Sequence, residues 1–134
     1  MKQFFTFAAL AALALSIPVT ADAAPNGYRT EPINATDFEV VPRGDQRTEG
    51  YWCAAADYAR RTLGLGWQDR IYVLRGYGPS VTTGRRTAVQ FSIKQPQSVD
   101  VQPSSFVSYG FQPGNSESVQ GANARCNYRP FFND

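Results

Sequence analysis

The chain has 134 residues, with 13 lysines and arginines against 11 aspartates and glutamates, a net charge of +2. So even a balance excludes a strongly basic nucleic-acid binder. It also contains no histidine, which excludes catalysis built on an imidazole base and most zinc sites.

The chain opens "MKQFFTFAALAALALSIPVTADAAPNG". Lys2 supplies a positive start, Phe4 to Val19 is almost wholly apolar, and Ala21 and Ala23 place small residues where a signal peptidase needs them. The apolar run is shorter than the roughly 20 residues of a membrane-spanning helix, and no cysteine follows it to carry a lipid. Residues 1–23 are therefore expected to be a signal peptide, leaving a periplasmic or secreted bacterial protein that does not span a membrane. What remains is enough for one domain with one core.

Residues 24–36, "APNGYRTEPINAT", carry two prolines and a glycine and no apolar period. They read as an extended N-terminal arm outside the core, with the domain proper over 37–134. The Asn34–Thr36 glycosylation triplet and the Arg43–Asp45 integrin-type tripeptide are short enough to occur by chance. "DFEVV", Asp37 to Val41, reads as a strand ending at Pro42.

"EGYWCAAADYARRTLG", Glu49 to Gly64, reads as an amphipathic helix capped by Thr48 and ended at Gly64. Trp52, Ala55, Ala56, Ala59 and Leu63 fall on one face at helical spacing. Asp57 and Arg61 fall on the opposite, wet face at i, i+4, where they can pair. The small alanines allow close approach to a sheet.

Next come "RIYVLRG", Arg70 to Gly76, an internal strand, and "TAVQFSIK", Thr87 to Lys94, which alternates with Val89, Phe91 and Ile93 inward and Gln90, Ser92 and Lys94 outward. The polar connector Tyr77–Arg86 makes the pair a long-looped hairpin. Its glycines lack the spacing and the lysine of a phosphate loop. Weaker strands are expected at Ser98–Gln102 and Ser105–Phe111, a polar loop over 112–123, and a last strand at the start of the tail "ARCNYRPFFND". The predicted fold is α+β: one amphipathic helix packed on a mostly antiparallel sheet of about five strands.

The cysteines are Cys53, near the helix start, and Cys126. A helix N-terminus can activate a thiolate, but no histidine is present to assist it. In an oxidising compartment an even cysteine count is normally paired. A Cys53–Cys126 disulfide is the expectation.

Around "EVVPRG", "YWCAAADYARRTLG", "DRIYVLRGYGPS" and "TTGRRTAVQFSI" the chain resembles small exported proteins of alphaproteobacterial type. The resemblance spans roughly Phe38 to Ile93. It implies the compartment and a single domain, and it brings no activity or site residue.

Two functions compete. One is a non-enzymatic module with a binding or structural role in the envelope or medium, its contact residues Arg75, Arg85 and Arg86 around the hairpin loop. Arginine suits carboxylate or phosphate groups, so an anionic envelope polymer, or another envelope protein, is the expected partner. The alternative is a small enzyme cleaving an envelope polymer through paired carboxylates, which needs no histidine; Glu49, Asp57 and Asp69 are its candidates. Each has a simpler role, at the helix start, in an ion pair and at a strand start. The module is the preferred reading, with no catalytic residue, no metal and no cofactor expected.

Overall fold

The computed structural model describes residues 22–44, 46–85, 87–97 and 111–127. Six strands form one antiparallel sheet in the order β1-β2-β3-β5-β4-β6: β1 Asp22–Ala23, β2 Arg29–Pro32, β3 Asp37–Val41, β4 Arg70–Gly78, β5 Ala88–Ser92 and β6 Ser116–Ser118. Helix α1, Thr48–Arg61, covers one face, and a short α2, Val119–Ala124, runs into a 3-10 turn at Arg125–Asn127. The α+β reading holds, with helix and central hairpin where the pattern put them.

Alternation in β3 and β5 sends Phe38, Val40, Val89 and Phe91 toward α1, joined by Ile71 and Val73 of β4; all six are fully buried. Trp52 meets Phe91 edge-on at 5.1 Å between ring centroids, and Phe38 lies 4.5 Å from Tyr58. Phe111, in no regular element, fills the space between Trp52, Tyr51 and Tyr77. Fully burying one such aromatic ring stabilises the fold by roughly 1.5–3 kcal/mol.

The buried stripe of α1 is wider than its periodicity suggests. Tyr51, Cys53, Ala54 and Tyr58 are buried along with Trp52 and the alanines. Tyr51 packs against Tyr28, Tyr77 and Phe111, and Tyr58 against Phe38. A further side of the helix packs against α2 and the 3-10 turn, where Cys53 is bridged. Even Asp57, expected on a wet face, keeps only 12% side-chain exposure while its carboxylate meets Arg61 at 3.5 Å. The bridge Cys53–Cys126 ties this second layer to α1, with Cα atoms 4.8 Å apart and a sequence separation of 73. Closing a loop of that length is worth about 4 kcal/mol on the chain-entropy model.

Four expectations need correcting. Residues 24–36 are not an arm outside the core: β2 pairs with β3 along Arg29–Pro32, and Ala24, Tyr28 and Thr30 are buried. Tyr28 supplies the reason, since its ring packs edge-on against Tyr51 at 5.4 Å and its hydroxyl accepts from the Arg47 amide at 3.1 Å. The helix cap is accordingly Arg47, with no side-chain cap, and Thr48 is already helical. The expected polar loop over 112–123 contains β6 and most of α2. Finally, the tail starts as helix rather than strand: Ala124 ends α2, capped at its start by the Ser118 side chain accepting from the Gly121 amide at 3.0 Å, and Arg125–Asn127 form the 3-10 turn. The strand Ser98–Gln102 and all of Ser105–Phe111 except Phe111 lie outside the described residues.

Candidate functional site

The face of the sheet turned away from α1 carries the polar half of the alternation. Register places Glu39, Gln90 and Arg75 in one cross-strand row and Asp37, Ser92 and Tyr72 in the next. Three of these are nevertheless buried, with exposures of 0% for Glu39, 7% for Gln90 and 3% for Ser92. Gln90 and Ser92 are thus not the solvent-facing residues that simple alternation implies.

Glu39 is covered by the hairpin loop. Ser80, Val81 and Thr82 fold back over β3 and close on the Glu39 carboxylate. Both hydroxyls, of Ser80 and Thr82, donate to Oε1, as does the Thr82 amide at 3.0 Å, and the Val81 amide donates to Oε2 at 3.1 Å. Ser80 Oγ also accepts from the Thr83 amide at 2.8 Å, which tightens the turn. A buried carboxylate is costly unless its oxygens are satisfied, and here four donors converge on it. The loop is clasped by the sheet rather than held out as a solvated tip.

Arg75 reaches this face through an irregularity. Val73 opposes Phe91 and Arg75 opposes Gln90, so Leu74 is one residue too many for the ladder. Such a bulge turns the following side chain onto a new face. The guanidinium then lies over Gly78, where an added Cβ would stand 3.0 Å from its Cζ. Its hydrogen bonds are long, 3.3 Å to the Gly76 carbonyl and 3.4 Å to that of Ala88. Burial pulls the Arg75 pKa below the usual guanidinium value, and the Glu39 charge opposes that pull only in part.

Between the clasped loop and the end of β5 runs a groove of about 520 Å³, within the usual range for small-molecule sites. Arg75, Lys94 and Asp37 give it charge, Gln90 and Ser92 line its floor, and Leu74 and Val81 supply apolar wall. Burial would raise the Asp37 pKa, but hydrogen bonds from Ser92, Asn34 and Thr36, together with the Lys94 charge, hold it below 3.8. Asn34 donates to this carboxylate at 2.9 Å and Thr36 at 3.1 Å. The groove therefore holds two cations and one carboxylate already served by its neighbours.

Of the three arginines read from the sequence, Arg75 lines the groove. Arg85 is exposed, outside the groove lining, and Arg86 lies outside the described residues. Lys94 and Gln90, which sequence reasoning passed over as outward polar residues, line the groove too. No family model, curated protein or solved structure matches this chain. The carboxylates weighed for catalysis each have a structural partner: Glu49 meets Arg125 at 3.9 Å, Asp57 meets Arg61, and Asp69 accepts from the Gly66 amide at 2.7 Å. Among the described residues, no group of three or more acidic or cysteine side chains is placed to hold a metal, and no helix is long and apolar enough to cross a membrane.

Proposed function

We propose that this chain is an exported, non-enzymatic binding module that takes a carboxylate- or phosphate-bearing group of an envelope polymer in the groove across its open sheet face, with Arg75 as the anchor. Export follows from the apolar leader and is supported by the disulfide; cleavage after Ala23 removes β1, so the exported sheet consists of β2 to β6. One observation carries the binding reading: the bulge at Leu74 turns a half-buried guanidinium into a groove where its own hydrogen bonds are long. Arginine has five donors in a planar fork suited to a bidentate oxyanion. A bound anion would offset the desolvation that disfavours its charge, and Lys94 would add a second, more exposed cation.

Intact mass of protein recovered from periplasm or medium tests the first part; a species retaining residues 1–23 would overturn it. The second part is tested by retention of the exported chain on a polyuronate matrix and on a phosphorylated polymer, each against uncharged dextran. Arg75→Ala should cut retention about tenfold or more, as expected for a charge-assisted bidentate contact. Arg75→Lys should recover only part of it, and added salt should mimic the loss. Wild-type retention no greater than on dextran, or retention indifferent to Arg75→Ala, would end the proposal. If Arg85→Ala together with Arg86→Ala had the larger effect, the contact would lie outside the groove.

A further inference from the structure

A second surface, sharing no lining residue with the groove, lies where the connection from α1 to β4 meets α2. Trp67 is 45% exposed. Its ring is held from one side by Arg60, whose guanidinium carbon sits 3.6 Å from the ring centroid. A depression of about 490 Å³ beside the ring is lined by Trp67, Gln68, Gln120, Asn123 and Ala124, and Arg60 is not among them. The cation thus props the indole while the depression stays free of charged side chains.

The backbone beneath is fixed. Gly64 takes φ of +74°, turning the chain out of α1. The Gln120 amide donates to the Trp67 carbonyl at 2.9 Å and the Val119 amide to that of Asp69 at 2.8 Å. Asp69 closes the loop on itself through the Gly66 amide at 2.7 Å. Among the described residues, the side-chain amides of Gln68 and Gln120 make no hydrogen bond. An indole ring standing in a fixed loop, propped by one cation and bordered by carboxamides, is an unusual way to leave apolar surface in water.

We infer that this depression is a carbohydrate-binding platform, on which a neutral sugar ring stacks against Trp67 while Gln68, Gln120 and Asn123 hydrogen-bond its hydroxyl or acetamido groups. The chemistry selects this occupant. A pyranose presents one face of C–H bonds, whose slight positive charge suits the negative face of an indole. Its rim carries hydroxyls that both donate and accept, as carboxamides do. An apolar peptide would leave the three amides buried without partners, and an anion would find no cation on the lining.

The test uses the disulfide-bonded exported chain titrated with chitotetraose, cellotetraose and a neutral monosaccharide. Trp52 is 2% exposed, so a change in indole emission reports on Trp67. One stacked ring with a few hydrogen bonds predicts dissociation constants near about 1 mM. Emission should shift to the blue with an oligosaccharide, and amide resonances of residues 66–68, 120 and 123 should move together. Chitotetraose binding more tightly than cellotetraose would place an acetamido group against the carboxamides; equal binding would place hydroxyls there, and either result supports the platform.

Trp67→Ala should weaken binding at least tenfold, and Gln120→Ala and Asn123→Ala each about threefold to tenfold, as loss of one hydrogen bond implies. Trp67→Phe, which keeps a ring, should retain resonance shifts that Trp67→Ala loses. No response to any of the sugars, a response that survives Trp67→Ala, or a Trp67-dependent dimer forming with concentration would each overturn the assignment. The last would mean that the patch meets a second copy of the chain. Because Arg75 lines the groove and not this depression, Arg75→Ala should leave sugar binding unchanged, so the two sites stand or fall separately.

Discussion

Glu39→Gln is the sharpest probe of how the groove is built. The fully buried carboxylate accepts from two hydroxyls and two backbone amides of the turn Ser80–Thr82. A glutamine of the same shape keeps one acceptor oxygen, and its least costly orientation leaves Oε1 in place with the new amide group facing the Val81 N–H. One hydrogen bond becomes donor against donor, and the other three lose their charge assistance. Bonds to charged groups contribute about 1.5–3 kcal/mol and neutral ones about 0.5–1.5, so three weakened bonds account for roughly 3 kcal/mol. Val81 is 63% exposed, so water can serve its amide once the carboxylate is gone. Relief from burying a charge returns part of the loss. The net cost should be about 2–4 kcal/mol in urea melts. Amide exchange should speed up locally at Val81 and Thr82, and affinity for the anionic polymer should fall as the Val81 wall loosens. A cost below about 0.5 kcal/mol with unchanged exchange would mean that the turn stands without its carboxylate, and the account of the clasp would be wrong.

Trp52→Ala should cost roughly 3–5 kcal/mol, since the ring packs between Phe91 and Phe111; Asp57→Ala, losing one ion pair to an Arg61 that is 62% exposed, should cost under about 1 kcal/mol. Denaturant melts giving the reverse order would refute the helix phase. Gly50→Ala should destabilise by about 1–3 kcal/mol, despite a helix propensity gain of about 1, because its Cβ would stand 2.6 Å from the Tyr28 ring; a rise in melting temperature would show that Tyr28 can yield. The Asp37 pKa is depressed in the folded state, so its stabilising contribution is present above the ordinary value of 3.8 and lost as pH falls through the lower folded value. Asp37→Asn should therefore flatten the acid limb of the stability curve and leave its slope near neutrality unchanged, and a change near neutral pH alone would contradict this.

Helix α1, the β4–β5 hairpin and the disulfide were legible because each rests on local chemistry. The Trp52–Ala55–Ala56–Ala59 spacing has the helical period, Val89–Phe91–Ile93 has the strand period, and two cysteines have one way to pair within the chain. The N-terminal strand was not, because "RTEP" in β2 shows no alternation of its own. It joins the sheet through pairing with β3 and through Tyr28, whose ring has space only because residue 50 is glycine. Helix α2 has just two buried side chains, Val119 and Ala122, too few for a period to show. Its only local signal was Ser118 ahead of them, a cap that makes sense once β6 is seen to end there.

The groove divides the same way. Arg75 could be singled out as one of a cluster of arginines, but its placement could not, because a regular "RIYVLRG" strand puts Leu74 rather than Arg75 opposite Gln90. Only the extra residue in the ladder brings the guanidinium onto that row. Glu39 sits outward in the alternation of "DFEVV", and an outward glutamate is ordinarily solvated. Its burial depends on a turn more than 40 residues away in sequence, whose Ser80 and Thr82 look like common loop polarity until their three donors and the Val81 amide are seen to meet one carboxylate. Periodicity finds the face of a sheet that packs on a helix, because that face is selected for one property along its whole length. The opposite face is built from single long-range pairs. The candidate site sits there, where a loop, a bulge and a buried charge have to be placed together before any of them is legible.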